Sequence, residues 1–273
     1  MQGMKEFIPT DVKISYINKL LRVGFDTIDM GSFVSPKTVP QTRDTGEVIK
    51  GLDLSGSLSK ILVIAANDRG IEEASAFEAI DYVGFPLSLS ETFQRRNTNR
   101  SIEDAFAVIE KGRERLARVS KQMVVYLSMG FGNPYNDPYS PEYIRQFTRR
   151  LSTMGIGIVS LSDTIGIATP ALITRLFSEV LGEFPEIEFG AHLHSHPATV
   201  IEKLEAAYNA GCTRFDSAIN GYGGCPMADD DLVGNLATQQ VIRFFENKRL
   251  APGLNQDALA SAMAEASAIF PLS

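Results

Sequence analysis

Short β-branched apolar runs alternate with longer charged stretches along the chain, with a period of about 30 residues. The apolar runs are Thr27–Gly31, Lys60–Ala65, Tyr82–Leu87, Met123–Ser128, Gly157–Ser162, Ile187–His192 and Arg214–Ile219. Each is nearly continuous in hydrophobic residues, as strands of a parallel sheet covered on both faces must be. Between most of them lie amphipathic segments: Ile102–Val119, Pro141–Met154, Pro170–Gly182, Ala198–Ala210 and Leu232–Asn247. Ser140-Pro141 and Thr169-Pro170 place a capping hydroxyl before a proline at the first helical position, so helices are predicted to start there.

Alternating strands and helices imply βαβ units and a parallel sheet. No Gly-x-Gly-x-x-Gly follows the early strands, which argues against an open dinucleotide-binding sheet and a nucleotide redox cofactor. The predicted fold is therefore a TIM-type (β/α) barrel forming a single catalytic domain over residues 1–273. One element stands out of place. The first is a helix, about Thr10–Val23, with no strand before it, whereas a TIM barrel has eight strands. Seven strands are recognisable, the first is expected to be missing, and the edges of Thr27–Gly31 and Arg214–Ile219 would then need cover.

Composition narrows the partners. The chain has 273 residues, 44% hydrophobic and 22% charged, with 26 Lys+Arg against 33 Asp+Glu for a net charge of −7. That acidity argues against nucleic-acid or anionic-membrane binding. No apolar run approaches the roughly 20 residues that span a bilayer, and Met1–Glu6 lacks a signal-peptide core. With two cysteines and no disulfide framework, a reducing cytoplasmic setting is expected.

Active-site groups of such barrels sit at the C-terminal strand ends. Polar residues there include Asp29, Ser32, Asn67, Ser88, Glu91, Ser128, Asp163, Thr164, His192, His194 and Asn220. His192-Leu193-His194 is the sharpest signal. Residues i and i+2 of a strand share a face, so both imidazoles project together and suit a divalent metal. A hydrogen-bonded histidine pair is the plainer alternative. The chain's three histidines all fall within His192–His196, and His196 is expected to cap the next helix. Gly221, Gly223 and Gly224 surround a loop bearing Cys225, a candidate acid, base or nucleophile. Cys212, in a helix-to-strand turn at the opposite end, is expected to be structural. Asn235 is expected to open the following helix, with an amide oxygen that could also reach a metal. Lys37, Arg95 and Arg96 put cations near the mouth, either as solvated surface or for a phosphate-bearing substrate.

Five motifs resemble the 3-hydroxy-3-methylglutaryl-CoA lyase family, within the wider group of metal-dependent barrel lyases and Claisen-condensing synthases. They are Ser32-Phe33-Val34-Ser35-Pro36-Lys37 with Val39-Pro40-Gln41, Ser162-Asp163-Thr164-Ile165-Gly166, His192-x-His194, Gly223-Gly224-Cys225-Pro226, and Gly234-Asn235-Leu236-Ala237-Thr238. The resemblance runs over nearly the whole chain. It implies that His192, His194 and Asn235 ligate a divalent metal, Mg²⁺ or Mn²⁺ with Zn²⁺ also open. Asp163 would share proton transfer with His192, and Cys225 would protonate the departing enolate. The products would be acetoacetate and acetyl-CoA. Gln2, Ser32, Lys37, Asn67, Arg95, Arg96, Ser128, Thr164, Gly223 and Gly224 are the positions expected to meet the acyl-CoA, and a homodimer is expected.

Three departures accompany the match. Only Gln2 matches the family's first-strand Arg-Asp-x-x-Gln. Asp29 stands for the family's Glu after the second strand, as a candidate catalytic carboxylate one methylene shorter, and Ser195 stands for an Asp after the second histidine. These leave two alternatives beside the lyase: a related aldolase or Claisen-type enzyme on another oxo or hydroxy acid, and an inactive ligand-binding barrel.

Overall fold

Seven parallel strands form one curled sheet in strict chain order, each joined to the next through helical segments. The computed structural model describes residues 1, 4, 6–223, 233–250 and 253–270. Helix α1 (Thr10–Leu21) leads into β1 (Thr27–Ser32), and α2 (Thr45–Lys50) into β2 (Lys60–Ile64). Then follow α3 (Asp68–Ser75), β3 (Tyr82–Ser88), α4 (Glu91–Thr98), α5 (Ile102–Ala117) and β4 (Gln122–Ser128). The second half runs α6 (Pro141–Thr153), β5 (Ile158–Asp163), α7 (Pro170–Glu183), β6 (Glu188–Leu193), α8 (Val200–Asn209), β7 (Arg214–Phe215), α9 (Thr238–Asn247) and α10 (Gln256–Ile269).

The predicted alternation holds for every strand, and the two proline starts cap as expected. Ser140 Oγ accepts from Tyr143 N at 3.1 Å and Thr169 Oγ1 from Leu172 N at 3.3 Å. Helix α5 carries a full capping box between Ser101 and Asp104. Three boundaries differ from the sequence pattern. Strand β7 stops at Phe215 instead of running to Ile219, because Asn220 takes a left-handed turn at φ 58°. Helix α9 begins at Thr238 and not at Leu232. Asn235 therefore caps no helix; it forms an antiparallel bridge with His194. His196 lies before the helix too, since α8 starts at Val200, and its carbonyl accepts from Thr199 N.

Each strand presents one face to the surrounding helices and one to the lumen. The lower lumen is filled by Leu62, Val124 and Ile158, with Ile64, Tyr82 and Tyr126 packed against them. Gly84 makes room there: a Cβ on it would stand 2.5 Å from Ile64 Cδ1 and 2.9 Å from Tyr126 Cε2. β1 and β7 do not pair. Helix α1, which touches β1, packs on α10, which touches the turn after β7. A separate apolar cluster of Ile8, Tyr16, Val23, Ile219, Leu259 and Phe270 seals that side. Buried Lys13 fastens it, with Nζ donating to Asp44 Oδ1 at 2.7 Å.

Among the described residues no helix is long and apolar enough to cross a membrane. Cys212 is 1% exposed, and its Sγ–H donates to Arg214 O at 3.2 Å. Burial pushes this thiol up to about 12, matching its expected structural role. In a Cys225→Ser variant at pH 8, a disulfide-exchange reagent is expected to label no thiol in the native protein and one after denaturation. Rapid native labelling would contradict the packing described.

Candidate active site

The lumen's upper layer is polar where its lower layer is apolar, and β6 supplies the centre of it. His192 and His194 share a face while Leu193, 1% exposed, points into the core. The imidazole rings lie 5.5 Å apart, centroid to centroid. His192 Nδ1 donates to Asp216 Oδ2 at 3.0 Å, and His194 Nδ1 donates to Thr164 O at 3.0 Å. Both acceptors are oxygens without a proton to give, so each ring carries its proton on Nδ1 and keeps Nε2 for another partner. The Asn235 side chain hydrogen-bonds the His194 ring, and its Nδ2 donates to Tyr222 O at 2.9 Å.

This resembles the arrangement of histidines that bind metal: one ring nitrogen is fixed by a carboxylate or carbonyl, and on His194 the other faces the Asn235 side chain. Burial and the neighbouring His192 lower His194 to about 4, keeping it neutral at physiological pH. His192 differs. Burial alone would lower it, but the hydrogen bond and charge of Asp216, with Asp29 beyond, raise it above its ordinary value. Among the described residues no group of three His, Cys, Asp or Glu side chains is arranged to hold a metal by itself. Two imidazoles and an amide oxygen fit a divalent ion only if further oxygen ligands come from elsewhere, a substrate included.

Asp29 opens onto the lumen from β1, where the strand's register slips between Asp29 and Gly31. Asp29 is exposed to the open lumen, yet the protein crowded around it and the like charge of Asp216 push its carboxyl up to about 7 despite the opposing His192. The Tyr126 and His192 rings meet edge to face with centroids 5.3 Å apart, and burial pushes the Tyr126 hydroxyl well above its ordinary range.

The other sequence candidates divide. Asp163, 1% exposed, pairs with Lys203 Nζ at 2.7 Å and accepts from Ala168 N. The carboxylate partner of His192 is instead Asp216. Thr164 Oγ1 accepts from Met129 N at 2.8 Å, holding a residue at φ 57°. Ser32 Oγ donates to Thr42 Oγ1, and Asn67 caps α3 by accepting from Gly70 N at 2.8 Å. Arg95 pairs with Glu91 on α4, and Arg96 lies over the Tyr135 ring at 4.8 Å. Lys37 is exposed in the loop after β1, and Ser128 is half-buried at the end of β4. Ser195 turns away from the lumen, its Oγ 2.9 Å from Thr199 Oγ1. Gly223, at φ 96°, lies against the Asn235 amide, where a Cβ would stand 3.0 Å from Nδ2. Gln2, Gly224 and Cys225 lie outside the described residues.

Sequence reasoning missed Asp216, Tyr126 and Lys203. Asp216 could have been found from strand parity, since Arg214 and Asp216 share a face. Lys203 carried no local signal, being one lysine on an amphipathic helix.

Fold and site together define an α/β protein whose seven parallel strands curl into a half-barrel with a polar, imidazole-bearing mouth. The chain matches the HMGL-like family over residues 1–265 and belongs to that family. The mitochondrial hydroxymethylglutaryl-CoA lyase of Rattus norvegicus is 34% identical over 262 residues, which cover 96% of this chain and 80% of that relative. The hydroxymethylglutaryl-CoA lyase of Bacillus subtilis is 31% identical, covering 96% of this chain and 87% of its own. Among solved structures, an HMG-CoA lyase from Acinetobacter baumannii in complex with coenzyme A and 3-methylmalate superposes with a TM-score of 0.90 at 30% identity. It covers 98% of this chain and 87% of that one.

The raised Asp29 carboxyl generates a stability test. An unfolded aspartate titrates near about 3.9, whereas Asp29 does so at about 7. The folded state therefore resists ionising it, and stability is lost as pH rises through that window. In metal-free protein, Asp29→Asn is expected to melt higher than wild type at pH 8, with the gap closing as pH falls from 7 to 4. A gap that widens toward acid would reverse the assignment.

Proposed function

We propose that this protein cleaves 3-hydroxy-3-methylglutaryl-CoA, or a close acyl-CoA, to acetoacetate and acetyl-CoA with the help of a divalent metal. The chain is a carbon–carbon lyase of the HMGL-like family; substrate, metal and residue roles are the proposal's additions. The observation that carries them is the pair of imidazoles whose Nδ1 atoms are engaged by Asp216 and Thr164 O while the Asn235 side chain meets the His194 ring.

His192, His194 and Asn235 would hold the metal, Mg²⁺ or Mn²⁺ by donor type. When bound, it supplies Lewis-acid stabilisation of a tertiary alkoxide and its adjoining carboxylate. Asp216 holds His192 in the tautomer that presents Nε2. Asp29, poised near neutrality, accepts the proton of the substrate's tertiary hydroxyl; the carbon–carbon bond then breaks and expels the acetyl-CoA enolate. Cys225 protonates that enolate. The Tyr126 hydroxyl stays neutral and forms part of the lumen wall beside His192. Asp163 is engaged by Lys203, so the proton transfer that the family resemblance assigns to it falls to Asp29. Lys37, Arg95 and Arg96 form the basic rim that meets the phosphates of CoA.

Acetyl-CoA release is expected with Mg²⁺ or Mn²⁺ and its loss with a chelator. His194→Ala and Asp29→Asn should each lower kcat/KM by about 100-fold or more while the fold persists by circular dichroism. A panel of 3-hydroxyacyl-CoA thioesters and free oxo acids tests the acyl group. Turnover of a free acid with none of any thioester would replace this reading with the aldolase one.

A further inference from the structure

The Asp163–Lys203 pair does more than neutralise charge. Lys203 lies on α8 with its side chain 4% exposed, and its ammonium has three protons to donate. All three are used: on Asp163 Oδ2 at 2.7 Å, on His194 O at 2.8 Å and on Gly166 O at 3.0 Å. One side chain therefore ties the end of β5, the turn after it and the residue following β6.

The consequences converge on His194. Its carbonyl is held by Lys203, its ring by Thr164 O, and the next amide, Ser195 N, donates to Gly234 O at 2.9 Å. Gly166, the third acceptor, sits at φ 74° where a Cβ would meet Val233 Cγ1 at 2.9 Å. The turn that Lys203 braces is thus packed against the segment entering Gly234 and Asn235. An apolar residue of similar volume would fill the same space without desolvating two charges. It would not fix three oxygens at set positions.

We infer that Lys203 is a positioning residue for the metal-binding end of the barrel, aligning His194 through its backbone and the Asn235 segment through Gly166. This deepens the proposed function and rests on its metal site. The purified chain, stripped of metal, is to be titrated with Mn²⁺ by electron paramagnetic resonance, alongside a thermal melt, for wild type, Lys203→Met, Asp163→Asn and the double variant. Lys203→Met leaves a buried carboxylate unpaired, so it should melt lower and bind Mn²⁺ about 10- to 100-fold more weakly, the range for residues that orient metal ligands. The double variant has no unpaired charge. It should recover most of the melting temperature yet still bind Mn²⁺ at least about tenfold more weakly than wild type.

Recovery of wild-type Mn²⁺ affinity in the double variant would reduce Lys203 to a counter-charge and overturn the inference. So would unchanged affinity in Lys203→Met. If Lys203→Met fails to fold, the double variant alone decides. The binding measurement needs no substrate, so a wrong acyl-CoA rejects the substrate reading only, whereas a wild type that binds no Mn²⁺ overturns both.

Discussion

A strand in a curled parallel sheet has two faces that cannot exchange roles. One packs beneath helices and must be apolar; the other looks into a lumen narrow enough for side chains from opposite strands to meet. Here Leu62, Val124 and Ile158 fill the lower lumen, and Asp29, His192 and Asp216 occupy the upper part. Because successive residues alternate between faces, a slip of one position in β6 would send His192 into the core and Leu193 into the site. The parallel register, regular from β2 to β7 and slipped once beside Asp29 on β1, is what keeps the site assembled.

Placing that much polarity at a strand end carries an electrostatic cost, and the structure offsets it by pairing. Asp163, nearly inaccessible, meets a lysine that is equally buried; breaking such a pair from one side costs about 3–5 kcal/mol because the remaining charge stays desolvated. His194 is kept neutral, and His192 is balanced by Asp216. Asp29 makes no ion pair among the described residues, and although His192 and the N-terminal amine oppose the like charge of Asp216, its carboxyl settles near 7. The one group left in tension is the one best suited to accept and return a proton at neutral pH. The same lack of pairing that makes it useful makes its ionised form a burden on the fold.

How much of this could be read in advance follows from how local each signal is. Strand positions, the proline-capped helices, the shared face of His192 and His194 and the structural role of Cys212 all rest on spacing within a few residues, and each is found where expected. The end of β7 and the start of α9 are misplaced in the sequence pattern because apolar residues near Ile219 and Leu232 resemble element interiors. A left-handed turn at Asn220 and the bridge from Asn235 to His194 override that pattern. Thr164, Ser32 and Asn67 are polar strand-end residues that look ready for a ligand, yet Thr164 and Asn67 accept from backbone amides and Ser32 donates to the Thr42 hydroxyl.

The sequence by itself determined the alternation of strands and helices, the strand end that gathers the histidines, and the family, because these depend on period and motif. Only the tertiary structure decided which carboxylate serves which base. Asp216 and Asp163 lie 53 residues apart in sequence, and either could have faced His192. Curling the sheet brings β7 beside β6, which puts Asp216 on the imidazole, while α8 crosses behind and delivers Lys203 to Asp163. Partner choice among buried charges is set by distances of about 3 Å, and only the folded chain fixes distances of that kind.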